Sequence, residues 1–172
     1  QKGGVGKTTT TAMLAAALAV GGLRVLVIDL DPQGNASTAL GVPHHSGTPS
    51  VYEVLLGEKT LAEVAAAVPN LPGLHAVPAT IDLAGAEIEL VAQVAREYRL
   101  ARAVEAMLAA RPVEYVILDC PPSLGLLTLN GLVAAREVLL PIQCEYYALE
   151  GLSQLLRTID MVRTHLNPGL AV

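Results

Sequence analysis

The chain opens on Gln1-Lys2-Gly3-Gly4-Val5-Gly6-Lys7-Thr8-Thr9, and the Ala- and Leu-rich run that ends at Val20 follows at once. A glycine-rich loop ending in Lys-Thr ahead of a helix is a phosphate cradle. Its backbone N–H groups wrap the anion, and the helix N-terminus adds a partial positive charge. In the ordinary form, G-x-x-x-x-G-K-[ST], the lysine reaches the outer phosphates and the hydroxyl holds Mg2+. Gly6, Lys7 and Thr8 obey that rule, but Gln1 stands where the first glycine belongs. Glycines at 3, 4 and 6 and a second cation, Lys2, take its place. Because such a loop joins a strand to a helix, it restricts the fold to the α/β class.

Hydrophobic patterning agrees. Arg24 to Leu30 and Glu114 to Asp119 are continuous β-branched and aliphatic runs, the signature of parallel strands covered on both faces. Leu74 to Pro78 and Val138 to Pro141 read as shorter strands. Helices are expected over Thr8 to Val20, Ser50 to Leu56, Leu61 to Val68, Asp82 to Ala95, Tyr98 to Ala110, Leu124 to Ala135 and Ala148 to His165. Asp31-Pro32-Gln33-Gly34-Asn35 reads as a loop by its turn residues. The expected architecture is α/β: a single-domain P-loop NTPase over residues 1–172, a mainly parallel sheet with helices on both faces, in three layers. The chain begins inside the motif and its last residues, Leu170-Ala171-Val172, read as a strand just beginning. The sequence is therefore expected to lack the domain's first strand and its C-terminal part.

Composition narrows the function classes. With 52% hydrophobic content over 172 residues the chain can bury a sizeable core, and with 3% aromatic content, all Tyr, that core is aliphatic. A net charge of −5 argues against a uniformly basic nucleic-acid binder but not against a local basic patch. Cys120 and Cys144 have no C-x-x-C partner and His44-His45 no nearby thiol, so zinc and iron–sulfur readings lack their ligand spacing. The apolar run Ala12 to Val20 is too short to span a membrane.

Chemistry concentrates at the expected carboxyl ends of strands, where α/β sheets bind ligands. Lys7 is expected to neutralise the β- and γ-phosphates, Thr8 to hold Mg2+ and Thr9 to bond an inner phosphate. Asp119 ends an apolar strand, which is the Walker-B metal position; a cap on the next turn is the plainer alternative. Asp29 and Asp31 flank the end of the first clear strand. One of them, Asp29, can face the metal while Asp31, further out, orients the attacking water; a pair of solvated turn acids is the alternative. Lys2 is either a solvated loop lysine or a cation supplied to a partner subunit's phosphates, as an arginine finger is. The bare glycines favour close approach of a second backbone.

At the level of whole segments, KGGVGKTTT, VIDLDPQGNAST, VILDCPPSLGLLTLNGLVAA and PIQCEYYALEGLSQLL together resemble the ParA/Soj partitioning ATPases, a deviant Walker A family. The resemblance implies a bacterial cytoplasmic, nucleoid-associated protein that hydrolyses ATP with Mg2+ as an ATP-sandwiched homodimer. It further implies non-specific binding of double-stranded DNA, no membrane partner, and stimulation by a ParB/Spo0J-type centromere-binding protein. Residue by residue it implies that Lys2 is the cross-dimer lysine, Lys7 the P-loop lysine, Thr8 the Mg2+ ligand, Asp31 the switch I residue and Asp119 the Walker-B acid. Lys2, Gly3, Gly4, Val5, Gly6, Lys7, Thr8 and Thr9 together form the ATP-binding loop. Two alternatives stay open: a MinD-like division-site ATPase acting at the membrane, and an ATP-dependent binding module with negligible turnover. Against the first, Pro121-Pro122-Ser123 replaces the segment typical of MinD-type proteins.

Overall fold

The computed structural model of the chain describes residues 6–142 and 148–172. Lys2, Gly3, Gly4, Val5 and Cys144 therefore lie outside the described residues. Helix α1 (Lys7–Val20) starts one residue before its expected bound and stops at Gly21-Gly22. Strand β1 (Val25–Asp29) follows, with every residue buried. Next come α2 (Asn35–Ala39), α3 (Val51–Leu56), α4 (Leu61–Val64), β2 (Ala66–Ala67) and β3 (Leu74–Val77). The order continues with α5 (Leu83–Val91), a 3-10 turn (Arg96–Tyr98), α6 (Arg99–Ala110), β4 (Tyr115–Asp119), α7 (Leu126–Ala134) and α8 (Ala148–His165).

The sheet runs β2-β3-β1-β4, with β1 parallel to both β3 and β4 and β2 antiparallel at the edge. Alternation along β1 builds the layers. Leu26 and Ile28 point to a core shared with Val51, Leu55, Leu83, Leu90, Leu100 and Val104 of the α3, α5 and α6 side. Val25 and Val27 point the other way, onto Ala15 and Ala19 of α1 and Leu40 just past α2. Small alanines on α1 let that helix lie close to the sheet. A third cluster joins Leu132 and Val133 of α7 to Ile159 and Val162 of α8.

Local chemistry explains where expectation and structure part. The helix begun at Leu61 ends at Val64, short of Val68. Pro69 disfavours a helical Val68, whose N–H instead donates to Leu74 O at 3.0 Å as Ala66 and Ala67 pair with β3. Over 138–141 no ladder forms; the pairing is a single parallel bridge between Glu137 and Ala171. The helix expected from Asp82 to Ala95 ends at Val91, and Ala95 takes a positive φ of 51° ahead of the 3-10 turn. Helix α2, which no local sequence signal announces, follows directly on Gly34.

Candidate nucleotide-binding site

Register sets the site. Asp29 and Asp119 are opposite each other at the carboxyl ends of β1 and β4, and both are all but inaccessible, at 1% and 2% exposure. The N-terminus of α1 packs beside them. Gly6 precedes it in the left-handed conformation, φ 87°, which glycine adopts without steric penalty, and its carbonyl accepts from Thr10 N at 2.8 Å.

Asp119 meets α1 directly. Its Oδ2 accepts from Thr8 Oγ1 at 2.7 Å and its Oδ1 from Thr11 Oγ1 at 3.1 Å. Burial raises its pKa, the two hydroxyls lower it, Asp31's charge raises it and Lys7's lowers it. Thr8, Lys7, Asp31 and Asp119 thus share one electrostatic neighbourhood. Thr11 was missed from sequence, although it lies three residues after Thr8 and so on the same helix face.

Asp29 is engaged differently. Its Oδ1 accepts from Asp31 N at 3.0 Å, and its Oδ2 from Ser37 N at 2.9 Å and Ser37 Oγ at 2.8 Å. Ser37 Oγ in turn accepts from Ala79 N at 3.1 Å, just past β3. No sequence signal marked Ser37, because α2 itself was not anticipated. Asp31 is half-buried, and its Oδ1 accepts from Gln33 N at 3.0 Å in an Asx turn that Gly34 N closes on Asp31 O at 2.8 Å. At Gly34, φ is 63°. A Cβ there would lie 2.7 Å from His44 Cδ2 and 3.1 Å from Ala79 O. The loop is packed down with no room for a side chain.

Burial, the largest cause, pushes the Asp29 carboxyl up to about 6 from 3.8; the bonds from Ser37 and Asp31 oppose it and the Asp119 charge adds to it. A folded value above the unfolded one stabilises the fold at low pH, and that stabilisation is lost as pH rises through about 6. The nucleotide-free protein is therefore expected to melt higher at pH 5 than at pH 7.5. Asp29 supplies on the order of 1 kcal/mol of the difference. Calorimetry of Asp29→Asn should show a visibly flatter profile, and an unchanged slope would remove Asp29 as its source. Glu114 acts in the opposite sense at lower pH: hydrogen bonds from Arg24 hold it near 2, so its contribution is lost as pH falls below the carboxylate range.

Cys120, beside Asp119, has its thiol pushed up to about 12 by burial, so it is a neutral thiol at physiological pH. It packs at Gly131, where a Cβ would lie 2.9 Å from its sulfur.

A mostly parallel sheet with a Lys-Thr helix start facing a strand-end aspartate is the P-loop NTPase arrangement. The family model described as AAA domain, AAA_31, matches residues 1–172, and the chain belongs to this family, alongside the Soj and ParA chromosome-partitioning proteins. It is 52% identical to the sporulation initiation inhibitor protein Soj of Bacillus subtilis strain 168, across 100% of this chain and 67% of that protein. Identity to the chromosome partitioning protein ParA of Caulobacter vibrioides strain NA1000 / CB15N is 54%, across 100% of this chain and 64% of that protein. Among solved structures, the cobyrinic acid a,c-diamide synthase of Mycobacterium smegmatis with bound ATP analog and magnesium superposes with a TM-score of 0.91 at 48% identity. That match covers 99% of this chain and 68% of the other. The chain thus spans about two thirds of the length of the curated relatives it matches.

Proposed function

We propose that this chain is the nucleotide-binding part of an ATP-hydrolysing dimerisation switch in chromosome or plasmid segregation. The observation that carries the reading is the 2.7 Å contact between Thr8 Oγ1 and Asp119 Oδ2, which joins the first turn of α1 to the strand-end acid. Both groups are hard oxygen donors, the kind Mg2+ selects. Among the described residues Asp119 has two protein donors against about four lone-pair sites, so it keeps capacity for a cation. Thr8 and Asp119 would hold the metal, whose charge would offset that of the phosphates. Lys7, the first residue of α1, lies where the helix N-terminus already favours an anion. Asp31 lies one residue beyond Leu30 at the end of β1, where it orients water for in-line attack.

Lys2 extends the cradle to a second subunit. ATP is sandwiched between two protomers because the Lys2 of each offsets the crowded phosphate charge on the other. Loss of the γ-phosphate then weakens the bridge. Pairing doubles any modest basic surface, which supports non-specific binding to duplex DNA despite a net charge of −5. Kinship with Soj and ParA supports a ParB-type stimulating partner and a place on the bacterial nucleoid. Among the described residues no helix is long and apolar enough to cross a membrane.

Light scattering of the full-length protein tests the reading. A dimer is expected in ATP and a monomer in ADP, with duplex DNA retained only by the former. Lys2→Ala should still bind ATP yet lose the ATP-dependent dimer; a normal dimer from that variant would refute the trans lysine. A protein that stays monomeric in non-hydrolysable ATP with Mg2+ would refute the switch itself.

A further inference from the structure

Asp29 and Asp119 hold equivalent strand positions, so position alone makes both candidate metal ligands. Their partners separate them. Among the described residues Asp119 accepts from two side-chain hydroxyls of α1, which can rotate aside for a cation. Asp29 instead accepts from three donors, two of them the fixed backbone N–H groups of Asp31 and Ser37 and the third the Ser37 hydroxyl. We propose that Asp29 is a positioning residue that fixes the Asp31 backbone and the start of α2, and not a ligand of the metal.

The network has a definite reach. One carboxylate ties the loop after β1 to α2, and Ser37 passes the connection to Ala79 at the end of β3. The loop has no slack to absorb a change. Its Asx turn is anchored on Asp31 itself, and Gly34 sits against His44 and Ala79 with no space for a Cβ. Bonds to a charged acceptor are the strong ones, so removing the Asp29 charge weakens all three ties at once. The Asp31 carboxylate then loses its fixed origin. A shift of about 1 Å in such a group costs about 100-fold in rate. This inference rests on the reading of Asp31 as the residue that orients water.

The test uses full-length protein carrying Asp29→Asn, Ser37→Ala or Ser37→Thr, beside Asp31→Ala and Asp119→Asn. Three quantities are read: single-turnover hydrolysis at saturating ATP, the Mg2+ midpoint for binding a fluorescent ATP analogue, and hydrogen exchange at the Asp31, Ser37 and Ala79 amides without nucleotide. For Asp29→Asn turnover should fall about 100-fold, with nucleotide affinity and Mg2+ midpoint within about two-fold of wild type and all three amides exchanging faster. Ser37→Ala, which keeps the carboxylate and is the gentler change, should fall about 10-fold in turnover, and Ser37→Thr should restore most of it. A Mg2+ midpoint for Asp29→Asn raised as far as that of Asp119→Asn would make Asp29 a ligand and overturn the proposal. So would lost amide protection with turnover unchanged. Wild-type turnover by Asp31→Ala would instead sink the underlying assignment of Asp31, a result distinguishable from either.

Discussion

Asp31→Ala in the full-length protein is expected to bind ATP with near-wild-type affinity and to hydrolyse it about 100- to 10,000-fold more slowly. The separation of binding from turnover follows from where the residue sits. In the proposed site the phosphates are held at the N-terminus of α1, whose contacts to Asp119 through Thr8 and Thr11 do not involve Asp31. Asp31 is set apart on the far side of Leu30, half-buried, with one oxygen accepting from Gln33 N. It is near enough for its charge to raise the Asp119 pKa. In the proposed role such a carboxylate orients water in the transition state and adds little to ground-state affinity. Because hydrolysis releases the bridge between protomers in the proposed cycle, the same variant should accumulate as an ATP-bound dimer that stays on duplex DNA. Quench-flow with labelled ATP measures the chemistry, and light scattering over the same interval measures the dimer. Wild-type single-turnover rates would remove Asp31 from its role. Slow chemistry with rapid dimer decay would break the link between hydrolysis and release.

How much of this was legible in the sequence depended on whether a signal was local. The β1 run was readable because full burial on both faces demands unbroken apolar residues, and the structure buries all of Val25 to Asp29. Strand β4, equally apolar, is not covered as expected, with Tyr115 exposed and Val116 to Leu118 half-buried at the end of the described strand order. The end of α1 was readable because Gly21-Gly22 stops it. Boundaries set by neighbours were not readable. Ala66-Ala67 has no β propensity of its own and becomes a strand because β3 offers an edge beside it. The expected strand at Val138 to Pro141 reduces to one bridge, since a ladder needs a partner of matching length. In the site, Thr8 and Asp119 came from motif spacing, and the structure brings them into contact across 111 positions of sequence. Ser37 was invisible for a physical reason: its role is created by α2 folding back onto Asp29, and nothing in N-A-S-T-A announces a helix of five residues. Asp29 shows the converse limit. Its position suggested a metal, and only its hydrogen-bond partners suggest a mechanical role.

Two carboxylates buried side by side are a liability to the fold when nucleotide is absent. Burial is the leading cause of the raised pKa at both Asp29 and Asp119, and each aspartate feels a like charge nearby. Hydrogen bonds from Ser37, Asp31, Thr8 and Thr11 offset part of that penalty. A bound cation would offset more. The site is therefore stabilised by its own ligands, and nucleotide with Mg2+ should raise the melting temperature by mass action.

Asp119→Asn turns that tension into a measurement with two readings of opposite sign. Asparagine nearly matches the shape of aspartate and can still accept from one of the two threonine hydroxyls, while the other hydroxyl can rotate to accept from its amide. What disappears is the buried charge. At neutral pH the nucleotide-free variant should melt above wild type, by about 2–4 °C for each kcal/mol of relieved desolvation in a domain of this size. Removing the proposed metal ligand should raise the Mg2+ requirement for nucleotide binding by at least about 100-fold, so the stabilisation that ATP and Mg2+ confer on wild type should vanish. The crossing of the two melting curves, variant above wild type without nucleotide and below it with ATP and Mg2+, is the expected signature of a functional carboxylate held against the preference of the fold. If the variant melts lower in both conditions, Asp119 is a structural cap on its two threonines. If its Mg2+ requirement is unchanged, the Asp119 carboxylate that accepts from Thr8 is not a ligand of the metal.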